Sequence, residues 1–246
     1  MTSIDTPRSQ YAQIAELLRD RIKDRTYPAG TPLPSEDRLA EELGVSRVTI
    51  NQAVKVLRAS GDVKVRRGVG TVVRSLPRIT RDAQGRYAAR AEGTGAGEVE
   101  VRKLNLRSRT DYREIGRTTA PDRVVRILGT GKTKPLVRRR VLYANDEPTQ
   151  IADSYYPWSI AKDCPALLEA DTGQGGSYGR LAEVGYGPVR FSEEVDVRMP
   201  TEHERRTLDL EATQAVFEIC HVAYAAGDQP VEVCLHVMPG HLWTLR

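Results

Sequence analysis

The stretch Leu33-Pro34-Ser35-Glu36-Asp37-Arg38-Leu39-Ala40-Glu41-Glu42-Leu43-Gly44-Val45-Ser46-Arg47-Val48-Thr49-Ile50 reads as two short helices meeting at a glycine. Ser35 stands where its hydroxyl can cap the free N–H groups of the first helix, which carries Leu39, Ala40 and Leu43 on one face. Gly44 follows where helices commonly end in the left-handed conformation. Ser46 caps the second helix, whose stripe is Ile50, Ala53, Val54 and Leu57 and which Gly61 ends. Two short helices with Gly in the joining turn make a helix-turn-helix, and the second of the pair enters the major groove of DNA.

Working outward, Ile14, Leu17, Leu18 and Ile22 repeat at helical spacing over Gln10–Asp24, and Tyr27, Pro28, Gly30 and Pro32 then break the pattern. On the other side, two β-branched runs within 63–73 flank the basic turn Arg66-Arg67-Gly68, which predicts a hairpin. A basic hairpin straight after a recognition helix is a wing, and Gly68 and Gly70 let its backbone approach a phosphate or a minor-groove edge. Residues 1–75 hold 13 Lys/Arg against 9 Asp/Glu, whereas residues 76–246 hold 24 of each. The excess positive charge lies wholly in the part read as DNA-binding, as a polyanionic partner requires.

Arg47, in the first turn of the recognition helix, suits a two-bonded grip on guanine O6 and N7. Thr49 and Asn51 lie two and four positions on and share a side with it; Asn51 either reads adenine, meets a phosphate or faces water. Ser35 and Ser46 cap helix N-termini that also attract a phosphate oxygen. Arg38 is either a phosphate clamp or the partner of Glu41 or Glu42. Arg66, Arg67, Gly68 and Gly70 form the wing tip, and Lys64 adds nonspecific attraction.

From Ser75 to about Gly97, glycines, Pro77 and scattered arginines interrupt any periodicity, and the segment reads as a linker. Beyond it the pattern is mixed α/β. Alternation is weak at Val99 and Val101 and clear from Val189 to Met199. Hairpins are expected at Leu136–Tyr143 with Thr149–Tyr155, turning at Asn145-Asp146, and at Val216–Tyr224 with Val231–Met238, turning at Gly227-Asp228. Helices are expected over Asp122–Leu128, Ser159–Leu168, Ser177–Glu183 and Glu202–Leu208, the last with a capping box of Thr201 and Glu204. The domains are thus 1–75, a linker at 76–96, and 97–246.

Cys164, Cys220 and Cys234 are too few and odd in number for a disulfide framework, which points to reduced thiols in a cytoplasm. No apolar run nears the roughly 20 residues of a membrane span, and Met1–Ser9 lacks the apolar core of a signal peptide. No nucleophile–base pattern and no glycine-rich phosphate loop is present, so neither an enzyme nor a cofactor is expected. Glu193 and Glu194 are neighbours on a strand and face opposite ways, a poor acid–base pair. Cys220-His221 and Cys234-x-His236 match no zinc spacing, so no metal is expected.

The motifs Tyr11-x-Gln13-Ile14-Ala15, Leu33-Pro34-Ser35-Glu36 and Leu39-Ala40-x-x-Leu43-Gly44-Val45-Ser46-Arg47-x-Thr49, continuing through Ala53, Leu57, Gly61, Gly68, Gly70 and Thr71, resemble the GntR family of bacterial repressors. Val137-Arg138-Arg139-Arg140, Asp146-Glu147-Pro148, Asp153–Pro157, Ser177-Tyr178 and Gly227–Glu232 resemble the effector domain of its HutC-type members, the UTRA domain. The resemblance implies an α+β protein: an N-terminal winged helix-turn-helix joined to a mixed α/β domain of chorismate-lyase-like fold. It implies a homodimer on a palindromic DNA operator, released by a small-molecule effector. Its effector contacts map to Arg138, Arg140, Gln150, Tyr155, Ser177, Tyr178 and Glu232, with the two arginines suited to an anionic group. The sequence departs from the family at Asp37 and Asn51, where Arg is usual, and at Gln150, where Glu is common. A dimeric DNA-binding protein without ligand response and, less favoured, an enzyme on the lyase-like fold remain the other readings.

Overall fold

A computed structural model describes residues 8–82 and 96–246. The chain forms two compact units, divided between Pro77 and Arg78.

The first unit is three helices and a hairpin: α1 (Gln10–Lys23), α2 (Glu36–Leu43), α3 (Arg47–Ala59), β1 (Val63–Arg66) and β2 (Gly70–Val73). The caps act as the sequence requires. Ser35 Oγ accepts from the Arg38 N–H and Ser46 Oγ from the Thr49 N–H, while Gly44 takes φ +63°. The apolar stripes converge: Ile14, Leu18, Leu39, Ile50, Ala53, Leu57 and Val63 form one buried cluster. Each large member contributes about 1.5–3 kcal/mol by leaving water. The hairpin pairs Val63 with Val73 and Arg66 with Gly70. The loop before α2 lies along β2, with Leu33 N–H on Thr71 O and Val73 N–H on Thr31 O. Arg19 pairs with Asp62 at 2.9 Å, tying α1 to the approach to β1.

The second unit is built on a six-stranded antiparallel sheet. In chain order its elements are β3 (Ile79–Arg81), α4 (Ala96–Arg102), β4 (Ser108–Arg117), α5 (Asp122–Leu128), β5 (Leu136–Ala144) and β6 (Glu147–Tyr156). There follow α6 (Trp158–Ala161), a 3-10 turn (Pro165–Leu168), α7 (Gly176–Glu183), β7 (Arg190–Arg198) and α8 (Glu202–Thr207). β8 (Val216–Ala225), β9 (Gln229–Pro239) and β10 (Trp243–Leu245) complete it. The sheet order is β4-β5-β6-β9-β8-β7, and β3 pairs in parallel with β10 apart from it. Both expected hairpins form. Asn145 and Asp146 have φ +47° and +66°, and Gly227 and Asp228 +72° and +56°, the left-handed values that tight hairpin turns demand. The capping box of Thr201 and Glu204 closes α8.

Helices cover both faces of the sheet. Ile160, Ala161, Leu167 and Leu181 pack on Leu136, Tyr156 and Ala223 of one face. On the other face Val124 and Leu128 of α5 pack on Val137, Tyr155, Val222 and Val233. Leu208 and Leu210, just past α8, pack on Val216 and Val237. The edge strand β7 leaves Val195 and Val197 exposed.

Four expectations are corrected. Val99 and Val101 lie in a helix; the neighbours Glu100 and Val101 are both buried, which a strand with one face inward does not do. The helix expected over Ser159–Leu168 is two short pieces, because Pro165 cannot donate a backbone hydrogen bond and opens a new turn. Residues 79–81, inside the segment read as a linker, form a strand; most of the rest of that segment, 83–95, lies outside the described residues. β4 was not expected at all, because this edge strand is too polar to show alternation: its burial pattern has no fully buried position.

Candidate DNA-reading face and effector pocket

The N-terminal turn of α3 collects the groups expected to read DNA. Arg47 is 65 % exposed, and its guanidinium lies 3.5 Å from Glu36 and 3.2 Å from Asp37 on the first turn of α2. Asn51 is half-buried and donates Nδ2–H to Glu36 Oε1 at 2.9 Å. Glu36 therefore holds both the arginine and the amide. Thr49 is also half-buried, with its hydroxyl 2.8 Å from that of Ser46. Arg38 is exposed; Glu42, one of the partners expected for it, pairs instead with Arg21 at 2.6 Å. Arg66, Arg67, Gly68 and Gly70 are all exposed at the hairpin turn. Gly68 and Gly70 have φ +78° and +104°, conformations that a side chain would strain.

The expected effector residues fall on two faces of the sheet. The register places Arg138, Ser154, Cys234, His221 and Glu193 in one row across β5, β6, β9, β8 and β7, so all five side chains share a face. Residues two or four positions along share that face too: Arg140, Gln150, Tyr156, Glu232 and His236. Tyr178, from α7, reaches the same group. Tyr155 does not. Its parity on β6 is opposite to that of Gln150, and it packs under α5, where burial pushes its hydroxyl pKa up to about 12.

The two arginines differ in their contacts. Arg138 is almost wholly buried and donates to the carbonyls of Leu167 (2.5 Å), Glu169 and Ala170 (3.0 Å). It also meets the Tyr112 hydroxyl at 3.0 Å and lies over the Tyr112 ring. It is a pin for the loop between α6 and α7. Arg140 is half-buried and has no hydrogen bond or ion pair among the described residues. Burial opposes its charge, but the Cys234, Tyr156 and Glu232 groups around it outweigh that and hold its pKa above the usual value.

Glu232 is 4 % exposed and accepts from the hydroxyls of Tyr156 (2.8 Å) and Tyr178. Burial pushes its pKa up, yet His221 and the hydrogen bonds from Tyr178 and Ser154 bring it below the ordinary carboxylate value. Ser177 lies by the Tyr156 hydroxyl. His221 bridges Tyr178 (Nε2, 3.1 Å) and Glu193 (Nδ1, 3.0 Å), and the buried Arg81 of β3 closes the chain on Glu193. Burial again opposes the charge of Glu193, but His221 and Arg81 hold its pKa at about 2. Gln150 Nε2 is 2.5 Å from His236 Nδ1, while its Oε1 is buried without a partner among the described residues.

His221, Glu193, Arg81 and Tyr156 were not among the expected site residues. Parity would have selected Tyr156 over Tyr155 once Gln150 was placed, whereas Arg81 carries no local signal. Among the described residues no group of three or more His, Cys, Asp or Glu side chains is placed to hold a metal ion. Among them, too, no helix is long and apolar enough to cross a membrane.

A winged helix-turn-helix joined in one chain to a mixed α/β unit with a polar, largely buried sheet face is the architecture of a DNA-binding regulator. Residues 10–73 match the model of the bacterial regulatory proteins of the gntR family, and residues 103–242 match the UTRA domain. The chain belongs to the GntR family of bacterial transcriptional regulators with a UTRA effector domain, not to a family of enzymes. It is 28 % identical over 241 residues to the HTH-type transcriptional repressor NagR of Bacillus subtilis, covering 97 % of this chain and 94 % of that one. It is 28 % identical over 192 residues to the histidine utilization repressor of Pseudomonas aeruginosa, covering 78 % and 71 % of the two chains. Its fold matches the crystal structure of PhnF from Mycobacterium smegmatis with a TM-score of 0.58 at 23 % identity, over 97 % of both chains.

Proposed function

We propose that this protein is a cytoplasmic homodimeric repressor that binds a palindromic operator through α3 and the β1–β2 hairpin and is released by a small anionic effector. The effector lies against the sheet face bearing Arg140, Gln150 and Glu232, under Ser177 and Tyr178 of α7, while Arg138 shapes its wall. Arg47 grips a guanine; Arg38, the helix starts at Ser35 and Ser46, and the wing residues Arg66, Arg67, Gly68 and Gly70 take phosphates. The observation that carries the reading is the open N-terminal turn of α3, with Arg47 exposed between two capped helices in a chain of this family. The names of the repressors NagR and histidine utilization repressor support negative control. A palindrome follows from two reading heads set about one helical turn apart.

The test is selection from a random duplex library by the purified protein at a stated salt concentration. A palindromic site bound by two chains is expected, and Arg47→Ala is expected to lose about 1–3 kcal/mol of operator binding with relaxed base preference. Unchanged affinity in that variant removes Arg47 from the readout.

A further inference from the structure

Helical geometry fixes which side chains of α3 are free to meet a base. The buried stripe is Ile50, Ala53, Val54 and Leu57. After Arg47, the exposed residues of α3 are Val48, Gln52 and Lys55, spaced i, i+4 and i+7 on the opposite side. Thr49 and Asn51 lie between the two stripes, half-buried, with the Thr49 hydroxyl on Ser46 and the Asn51 amide on Glu36. Each is thus already held by a protein hydrogen bond on the side away from the exposed stripe, which restrains its reach toward a base. Gln52 makes no hydrogen bond to any described residue, and Val48 is 68 % exposed, the most exposed large apolar side chain of α1, α2 and α3.

We propose that Val48 and Gln52, beside Arg47, are the base-reading residues of α3: Gln52 pairs with an adenine through N6 and N7, and Val48 packs on the 5-methyl group of a thymine. This rests on the repressor reading above. Glutamine presents one donor and one acceptor, the complement of adenine's major-groove edge, and a thymine methyl is the one apolar feature of that groove. The two residues stand about 6 Å apart along the helix, so they address neighbouring base steps of about 3.4 Å each. Glu36 then has a positioning role, holding Asn51 out of the groove and steadying Arg47.

The experiment uses the full-length protein, the selected operator and operators in which each thymine in turn is replaced by uracil, which removes only the methyl. In the wild type one uracil per half-site is expected to weaken binding several-fold, and in Val48→Ala that loss disappears. Gln52→Ala is expected to weaken binding about tenfold and to flatten the preference at one A·T pair, as losing a two-bonded base contact does. Asn51→Ala is expected to leave base preferences unchanged. Thermal melts of the free variants verify that all are folded. Uracil scanning without effect, or flattening by Asn51→Ala in place of Gln52→Ala, overturns the proposal while leaving the repressor reading intact. A library that yields no site overturns both.

Discussion

Arg138 and Arg140 stand two residues apart on β5 and point the same way, yet their surroundings give them different work. Arg138 satisfies three carbonyls and a tyrosine hydroxyl, so replacing it strands buried acceptors. Arg138→Met is expected to lower stability by about 2–4 kcal/mol in urea unfolding. Arg140→Met has no hydrogen bond to lose but gives up the attraction of buried Glu232, so a loss smaller than that of Arg138→Met is expected. Equal losses in the two variants would contradict the division of labour. Glu193 supplies a pH test. Its folded pKa, about 2, lies below its ordinary value of 4.5, so its contribution is present above pH 4.5 and is lost as pH falls towards 2. The shift corresponds to on the order of 3 kcal/mol. Urea midpoints of the wild type are expected to fall more steeply between pH 5 and 2.5 than those of Glu193→Gln.

Among the elements, those with a complete local signal were legible. α2 and α3 carry cap, stripe and stop within a few residues, and both long hairpins carry alternation on each side of a turn dipeptide. The elements that were missed lack such signals. β4 and β3 are held by their neighbours, and α4 packs beside both of them, so no reading of their own residues finds them. The hairpin β1–β2 makes a testable element. If Arg66 and Arg67 each neutralise one phosphate, the slope of log affinity against log salt falls by about 0.9 per residue. The double variant Arg66→Ala/Arg67→Ala is therefore expected to flatten that slope by about 2, with the selected sequence unchanged. An unaltered slope would take the wing off the DNA.

At the scale of the whole molecule, the three cysteines report on folding. Cys164, Cys220 and Cys234 are free and buried, and burial pushes the Cys234 thiol up to about 11. Native protein is expected to react slowly with a thiol reagent such as DTNB at pH 8, and urea-unfolded protein to release three equivalents at once. Rapid reaction of one thiol in the native state would mean that its strand or loop opens locally.

The sequence by itself determined the DNA-binding unit, because there every determinant is local: caps, glycine stops, periodic stripes and a basic turn lie within about a dozen residues of what they act on. It also set the charge asymmetry and both hairpins of the second unit. Only the tertiary structure decided the buried polar face of the second unit. Whether an arginine is a pin or a free cation depends on which carbonyls fold back over it, as Leu167, Glu169 and Ala170 do over Arg138. Glu193 is joined to Arg81 across 112 positions of chain and to His221 across 28, and strand pairing alone brings such residues within hydrogen-bond reach. The same holds for α3, where the neighbouring helix, through Glu36, determines that Asn51 turns inward while Val48 and Gln52 face out.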